Sequence, residues 1–233
     1  MLTVTNSLIF AQDSIPEEIR SIGKFEIGIT TISIIGELEK ELKTKVKECA
    51  SSIVYIKAQE SGTNYILQLI NDVSNKYSSP PQASNCENVA IYSIGGYSVA
   101  NIELKDLELA FLNDTLIGLK CDRTPEFIEA VHLKYGYGRI QKEEQEVTCE
   151  VGRLGTEVML KKTAIYESWG QHDIRATATL SVYYNSKCEK KYLSYFILTS
   201  LSASKERRSC EDLKKEELKK RDEEQKKKSL DGF

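Results

Sequence analysis

The chain is poor in the residues that most often carry chemistry. It holds two histidines, one tryptophan, two methionines and four prolines in 233 residues. His132 and His172 do not pair at zinc spacing, and none of the six cysteines forms a C-x-x-C, so a tetrahedral metal site has no basis here. Gly95-Gly96 is not followed by a helix carrying Lys-Ser or Lys-Thr. Tyr135-Gly136-Tyr137-Gly138 leaves a helix rather than a strand. Neither stretch is a phosphate or dinucleotide loop, and no cofactor is expected. No run of 18 apolar residues is present, which removes a membrane-spanning helix. Charge of one sign is also missing from the chain as a whole. The formal net charge is -3, but residues 205–228 carry 11 basic and 8 acidic side chains, a balance of +3. Asp231 adds one negative charge, and residues 1–204 hold 21 basic against 26 acidic, or -5. A body of that sign repels phosphates, so no nucleic-acid partner is expected.

What the chain does have is a patterned centre, Val99–Gly136. Leu107, Leu109 and Phe111 alternate with Glu108 and Ala110. Ile117, Leu119 and Cys121 alternate with Gly118 and Lys120. Asn113-Asp114 lies between them, and both residue types tolerate positive φ, so the stretch reads as a hairpin with one buried face. The period then changes. Thr124 can cap a helix, Pro125 suits its first position, and Phe127, Ile128, Val131 and Tyr135 share a face. Gly136 is placed to end it. This helix is expected to cover the buried face of the sheet.

Upstream, Ile34, Leu38, Leu42 and Val46 put one apolar face on a helix over about Ser33–Cys49, with Thr30, Thr31 or Ser33 as its cap. Ser52–Ala58 and Asn64–Asn71 read as a second pair of strands. Residues 78–85 (SSPPQASN) break all periodicity and read as a linker. Downstream, Val89–Ser93, Glu146–Val151, Glu157–Glu167, Ile174–Asn185 and Lys191–Ser200 read as strands. The tail has only two leucines between 205 and 228, with acid–base pairs at i, i+4, and reads as a solvated helix or a helix-prone disordered tail.

These elements give an α+β fold: an antiparallel sheet with one covering helix, a small N-terminal helix-and-hairpin module, and a charged C-terminal helical tail. The divisions are 1–12, 13–77 (small module), 78–85 (linker), 86–200 (sheet and helix) and 201–233 (tail). Met1–Gln12 is apolar and is similar to the back half of a bacterial secretory signal, without the basic segment that precedes the apolar run; a short strand is the alternative. The six cysteines leave two readings open. One or two disulfides form in an exported protein, with Cys86, Cys121, Cys149 and Cys188 as candidates and the pairing undetermined, or all are buried thiols in a reducing compartment.

Two resemblances bear on this. Ile27-Gly28-Ile29-Thr30, leading into a helix, looks like the start of a unit in the small repeat modules of β-lactamase-inhibitor-like and outer-membrane-assembly lipoproteins, with Ile29 where Met is usual. It covers about twenty residues and implies no function. The second covers residues 86–200. A hairpin with Asn-Asp at its tip, a helix closing in Lys134-Tyr135-Gly136, and Tyr166-x-x-Trp169 before a strand resemble a recurrent type of uncharacterised bacterial exported protein. That resemblance implies a fold and little more.

Candidate site residues are few. His172-Asp173 in a turn could serve acid–base work in a hydrolase, but adjacent side chains do not orient each other as a triad does, and no nucleophile elbow is visible. His132 reads as a surface or edge residue. Trp169 at a strand end is either core edge or a partner anchor. Nine of twelve tyrosines lie between Tyr92 and Tyr195. Tyr183 and Tyr184 must point to opposite faces of a strand, and Tyr192 and Tyr195 likewise differ in parity. The resulting expectation is a non-enzymatic exported protein, periplasmic or at the surface, that binds a partner such as an envelope protein. Its surface would comprise Trp169, His172, Tyr183, Tyr184, Tyr192 and Tyr195. A hydrolase using His172 and Asp173, or a cytoplasmic structural protein, are the alternatives.

Overall fold

The computed structural model describes residues 8–9, 18–71, 79–80, 82–151, 156–170 and 172–230. The rest of the 1–12 segment and part of the 78–85 linker lie outside them. In chain order the elements are β1 (Leu8–Ile9), β2 (Ser21–Ile22), β3 (Phe25–Glu26), α1 (Ile34–Leu42), β4 (Val46–Cys49), α2 (Ser52–Glu60) and β5 (Tyr65–Leu69). Then come β6 (Val89–Gly95), β7 (Ser98–Val99), β8 (Ile102–Glu103), β9 (Leu107–Leu112), β10 (Thr115–Asp122) and α3 (Pro125–Tyr135). The chain closes with β11 (Arg139–Val151), β12 (Thr156–Trp169), β13 (Ile174–Tyr184), β14 (Lys190–Ser200) and α4 (Leu201–Leu230).

Ten strands form one mixed sheet in the order β1-β11-β12-β13-β14-β10-β9-β6-β5-β4. Every neighbouring pair is antiparallel except β4 with β5. The turn and the helix of the centre form as their residues predict, but Ile117 does not share a face with Leu119 and Cys121, and both faces are buried. Asn113 and Asp114 turn the β9–β10 hairpin with φ of 50° and 63°, as a two-residue primed turn requires. Thr124 Oγ1 accepts the Phe127 N–H at 3.2 Å, and Gly136 closes α3 with φ 74°. A bulge between Leu116 and Gly118 shifts the register, so Leu116, Leu119 and Cys121 face one core while Ile117 faces the other.

One covering helix is an undercount. Four helices flank the sheet, and both faces are partly covered. On one face α1, α3 and the β2–β3 turn bury Leu38, Phe25, Phe127 and Val131 against Leu109, Phe111, Phe196 and Leu198. On the other, Tyr55 of α2, with Ala203 and Cys210 of α4, lies over Leu67, Val89, Ile91 and Ile117.

The N-terminal expectation needs two corrections with one cause. The first helix stops at Leu42, because Lys43 adopts a left-handed conformation and donates its N–H to Glu39. Val46–Cys49 then leaves the helix to become edge strand β4. Ser52–Ala58, expected to be a strand, is helix α2. Strands β4 and β5 are parallel, and parallel neighbours need a crossover of a dozen or more residues, usually a helix. That topology overrides the β propensity of Ile53, Val54 and Ile56, which point outward and are exposed. The linker residues join β5 to β6, which are neighbours in this same sheet.

The first turns of the tail dock on the body of the protein. Cys210 is bonded to Cys86, and Glu211 accepts from the Ser84 hydroxyl and, at 3.2 Å, from the Asn85 N–H. Beyond Glu211 no residue of α4 whose burial is described is buried.

Cys149 and Cys188 form the second disulfide, and Cys49 and Cys121 are free and buried. By the chain-entropy account, loops of 124 and 39 residues correspond to about 5 and about 4 kcal/mol. Urea unfolding should therefore show the C86S/C210S variant several kcal/mol less stable than the parent, and C149S/C188S slightly less affected. Equal midpoints for parent and both variants would show that the cross-links do no thermodynamic work.

Candidate functional site

His172 and Asp173 are not hydrogen-bonded to each other. His172 is exposed and makes no hydrogen bond among the described residues. Asp173 is committed to the start of α4. Its Oδ2 accepts the Ser200 hydroxyl at 2.6 Å and its Oδ1 accepts the Ser202 N–H at 2.8 Å. These bonds, Ser200 first, hold its carboxyl below the usual range. The serine donates straight to the carboxylate, with no imidazole between them, so the arrangement is a helix cap.

Trp169 offers no surface to a partner. It is fully buried in the larger core, and its indole N–H donates to the Gly136 carbonyl at 3.0 Å. Beside it lies a pairing that the sequence reading missed. Both carboxylate oxygens of Glu167 sit 2.9 Å from Nε2 of His132, and Oε1 also accepts the Gly138 N–H at 2.9 Å. The side chains are 7% and 19% exposed, so this is a pair largely removed from water. The His132 ring also stacks on Tyr137, with centroids 4.3 Å apart. The sequence held part of the signal: Glu167 shares parity, and so a face, with Trp169.

A second polar network lies on the opposite face, under α2. Glu108 is buried there, taking the Tyr55 hydroxyl at 2.8 Å and Lys120 at 3.5 Å. Gln59 donates to Tyr55 and to Asp106, each at 3.1 Å. Burial, then the Glu108 charge, pushes the Tyr55 hydroxyl well above its ordinary range, so it stays protonated and donates. Burial and the Asp106 charge also raise Asp122. These groups line a cleft of about 230 Å³ that Tyr195 also borders.

Tyr195 begins the open part of this face. In register across three strands, Tyr166 of β12 and Tyr195 of β14 flank Thr179 of β13. Tyr183 has the parity of Thr179; Tyr184 and Tyr192 have the other. The β12–β13 ladder ends at Thr163–Val182, while the β11–β12 ribbon continues to Val151–Thr156. The Cys149–Cys188 bond ties that ribbon back to the β13–β14 turn, 5.9 Å between Cα atoms. At the end of the β12–β13 ladder lies a groove of about 440 Å³, lined by Gln145, Lys162, Tyr166, Ser181 and Tyr183 among others. Glu144, also on its rim, is held down to about 2 by Lys142 and Lys161.

Of the four candidate disulfide cysteines, Cys121 is not bonded. It points into the larger core, and burial pushes its thiol up to about 12, which leaves it unreactive at neutral pH. Its place is taken by Cys210, which sequence alone had put on a solvated tail. Among the described residues no cluster of three or more metal-ligating side chains occurs, and no helix is long and apolar enough to cross a membrane.

The fold thus defines an α+β protein in which a mixed ten-stranded sheet carries helices on both faces. In comparisons with known proteins, no family, no curated protein and no solved structure matches the chain.

Glu167→Ala should cost about 2–3 kcal/mol in urea unfolding, because His132 and the Gly138 N–H lose their partner in a dry site. A loss under 0.5 kcal/mol would make the pair incidental. Asp173→Ala should cost about 1 kcal/mol at pH 7 as a lost cap. The folded-state carboxyl is depressed, so its contribution is present above the unfolded value of about 3.9 and fades as pH falls through the lower folded value. Parent and variant curves of stability against pH should converge at the acid end.

Proposed function

We propose that the protein is exported and works by binding, with the open face of β11–β14 as its contact surface. The observation that carries this reading is the Cys149–Cys188 bond. It ties the β11–β12 ribbon to the β13–β14 turn beyond the end of the β12–β13 ladder, at which a groove edged by Tyr166 and Tyr183 opens. Disulfides persist in oxidising compartments, and two of them fit a periplasmic or surface location. Tyrosine suits such a surface because its ring supplies apolar area and its hydroxyl a polar tip. The surface differs from the sequence expectation in membership. It comprises Tyr166, Tyr183 and Tyr195, without Trp169, and without Tyr184 and Tyr192, which project from the other side of the sheet.

The test has two parts. Alkylation before lysis, in the native host, should leave four cysteines protected as disulfides in the extracytoplasmic fraction. Cys49 and Cys121 should react only after denaturation. A photo-crosslinking residue at position 183 should then give adducts with an envelope component, and the same residue at the exposed position 133 should not. Six free thiols in the cytoplasmic fraction, or equal adducts from both positions, would sink the reading.

A further inference from the structure

Away from the tyrosine face, α3, the β2–β3 turn and the β7–β8 hairpin enclose a groove of about 300 Å³. Ile22, Val99, Ile102, Phe127, Val131 and Tyr135 wall it. The walls are braced. The Tyr135 hydroxyl donates to the Ser21 carbonyl at 3.1 Å, which joins α3 to β2 and leaves the ring as the part of Tyr135 that faces the groove. Gly23, at φ 58°, lets the β2–β3 turn lie against Val99, where a Cβ would meet Val99 Cγ2 at 2.8 Å.

The polar inventory is short. Among the described residues no carboxylate lines the groove, and Lys134 is the only charged side chain on it. Its ammonium lies 4.8 Å from the centre of the Tyr135 ring and makes no ion pair among the described residues. An occupant with hydroxyls along its length would bury them without partners, which is costly. A cation would meet Lys134, and a neutral chain would leave it unused. An unsubstituted chain ending in one anion matches both features. A methylene takes up about as much space as a water, about 30 Å³, so the groove has room for about ten carbons.

We propose that this groove binds a free medium-chain carboxylate, with its alkyl chain along α3 and its carboxylate on Lys134. The site is separate from the tyrosine face, and either can fail without the other.

Calorimetric titration of the full chain with hexanoate, octanoate, decanoate and dodecanoate, below their micelle concentrations, tests it. Affinity should rise about three- to fourfold per added methylene until the groove is full near decanoate, then level off. Lys134→Gln, a surface change, should weaken octanoate about threefold or more without moving the unfolding midpoint. Ala130→Phe, which fills the groove, should abolish binding. If that variant does not fold, Ala130→Leu should still shift the plateau to a shorter chain. No heat from any acid at millimolar concentration would overturn the proposal. So would octylamine binding as well as octanoate, or a Lys134→Gln variant that binds as tightly as the parent.

Discussion

The molecule depends on one ladder, the antiparallel pairing of β10 with β14 from Gly118–Thr199 to Asp122–Tyr195. It is the only main-sheet contact between the strands before α3 and the later strands β12, β13 and β14. Closing so long a loop costs entropy. The return comes from burial. Leu119 and Cys121 on β10, with Phe196 and Leu198 on β14, all face the larger core, and Phe127 of α3 packs edge-on against Phe196 at 5.0 Å. β10 carries buried side chains on both faces, so truncating Leu116, Ile117, Leu119 or Cys121 has a packing cost.

Where ladder and core run out, covalent bonds take over. Cys86–Cys210 fixes the start of α4 to the smaller core, and past Glu211 no residue of the helix whose burial is described is buried. Cys149–Cys188 lies beyond the last β12–β13 rung. The two free thiols, by contrast, sit inside the packed cores, Cys49 in the smaller and Cys121 in the larger, where van der Waals contacts already hold the chain. The cross-links therefore act on the parts that packing leaves loose, which is also where the tyrosine groove lies.

The buried carboxylates follow a different rule. Glu167 and Glu108 each receive donors from other elements: His132 and Gly138 for the first, Tyr55 and Lys120 for the second. A charge in a dry site is tolerable only with such partners, so these residues tie α3 and α2 to defined places on the sheet. Only part of this was legible. That Glu167 shares a face with Trp169 could be read from parity, but not that this face is the core. Glu108 could not be read as inward, because its parity is that of the outer face, and only α2 makes that face an interior.

Local pattern by itself determined the β9–β10 hairpin with its Asn113-Asp114 turn, the span of α3, strands β13 and β14, and the helical nature of residues 201–230. In each, turn chemistry, capping and period act over a few residues and agree with one another, so no distant contact is needed to decide them. Tertiary structure alone decided that Val46–Cys49 is a strand and Ser52–Glu60 a helix, since a parallel crossover outweighs the propensity of isoleucine and valine. It also decided which cysteines meet, that Trp169 is core, and which tyrosines share a face. Those outcomes depend on the register and proximity of segments far apart in the chain, and that information is carried by packing rather than by any short stretch of residues.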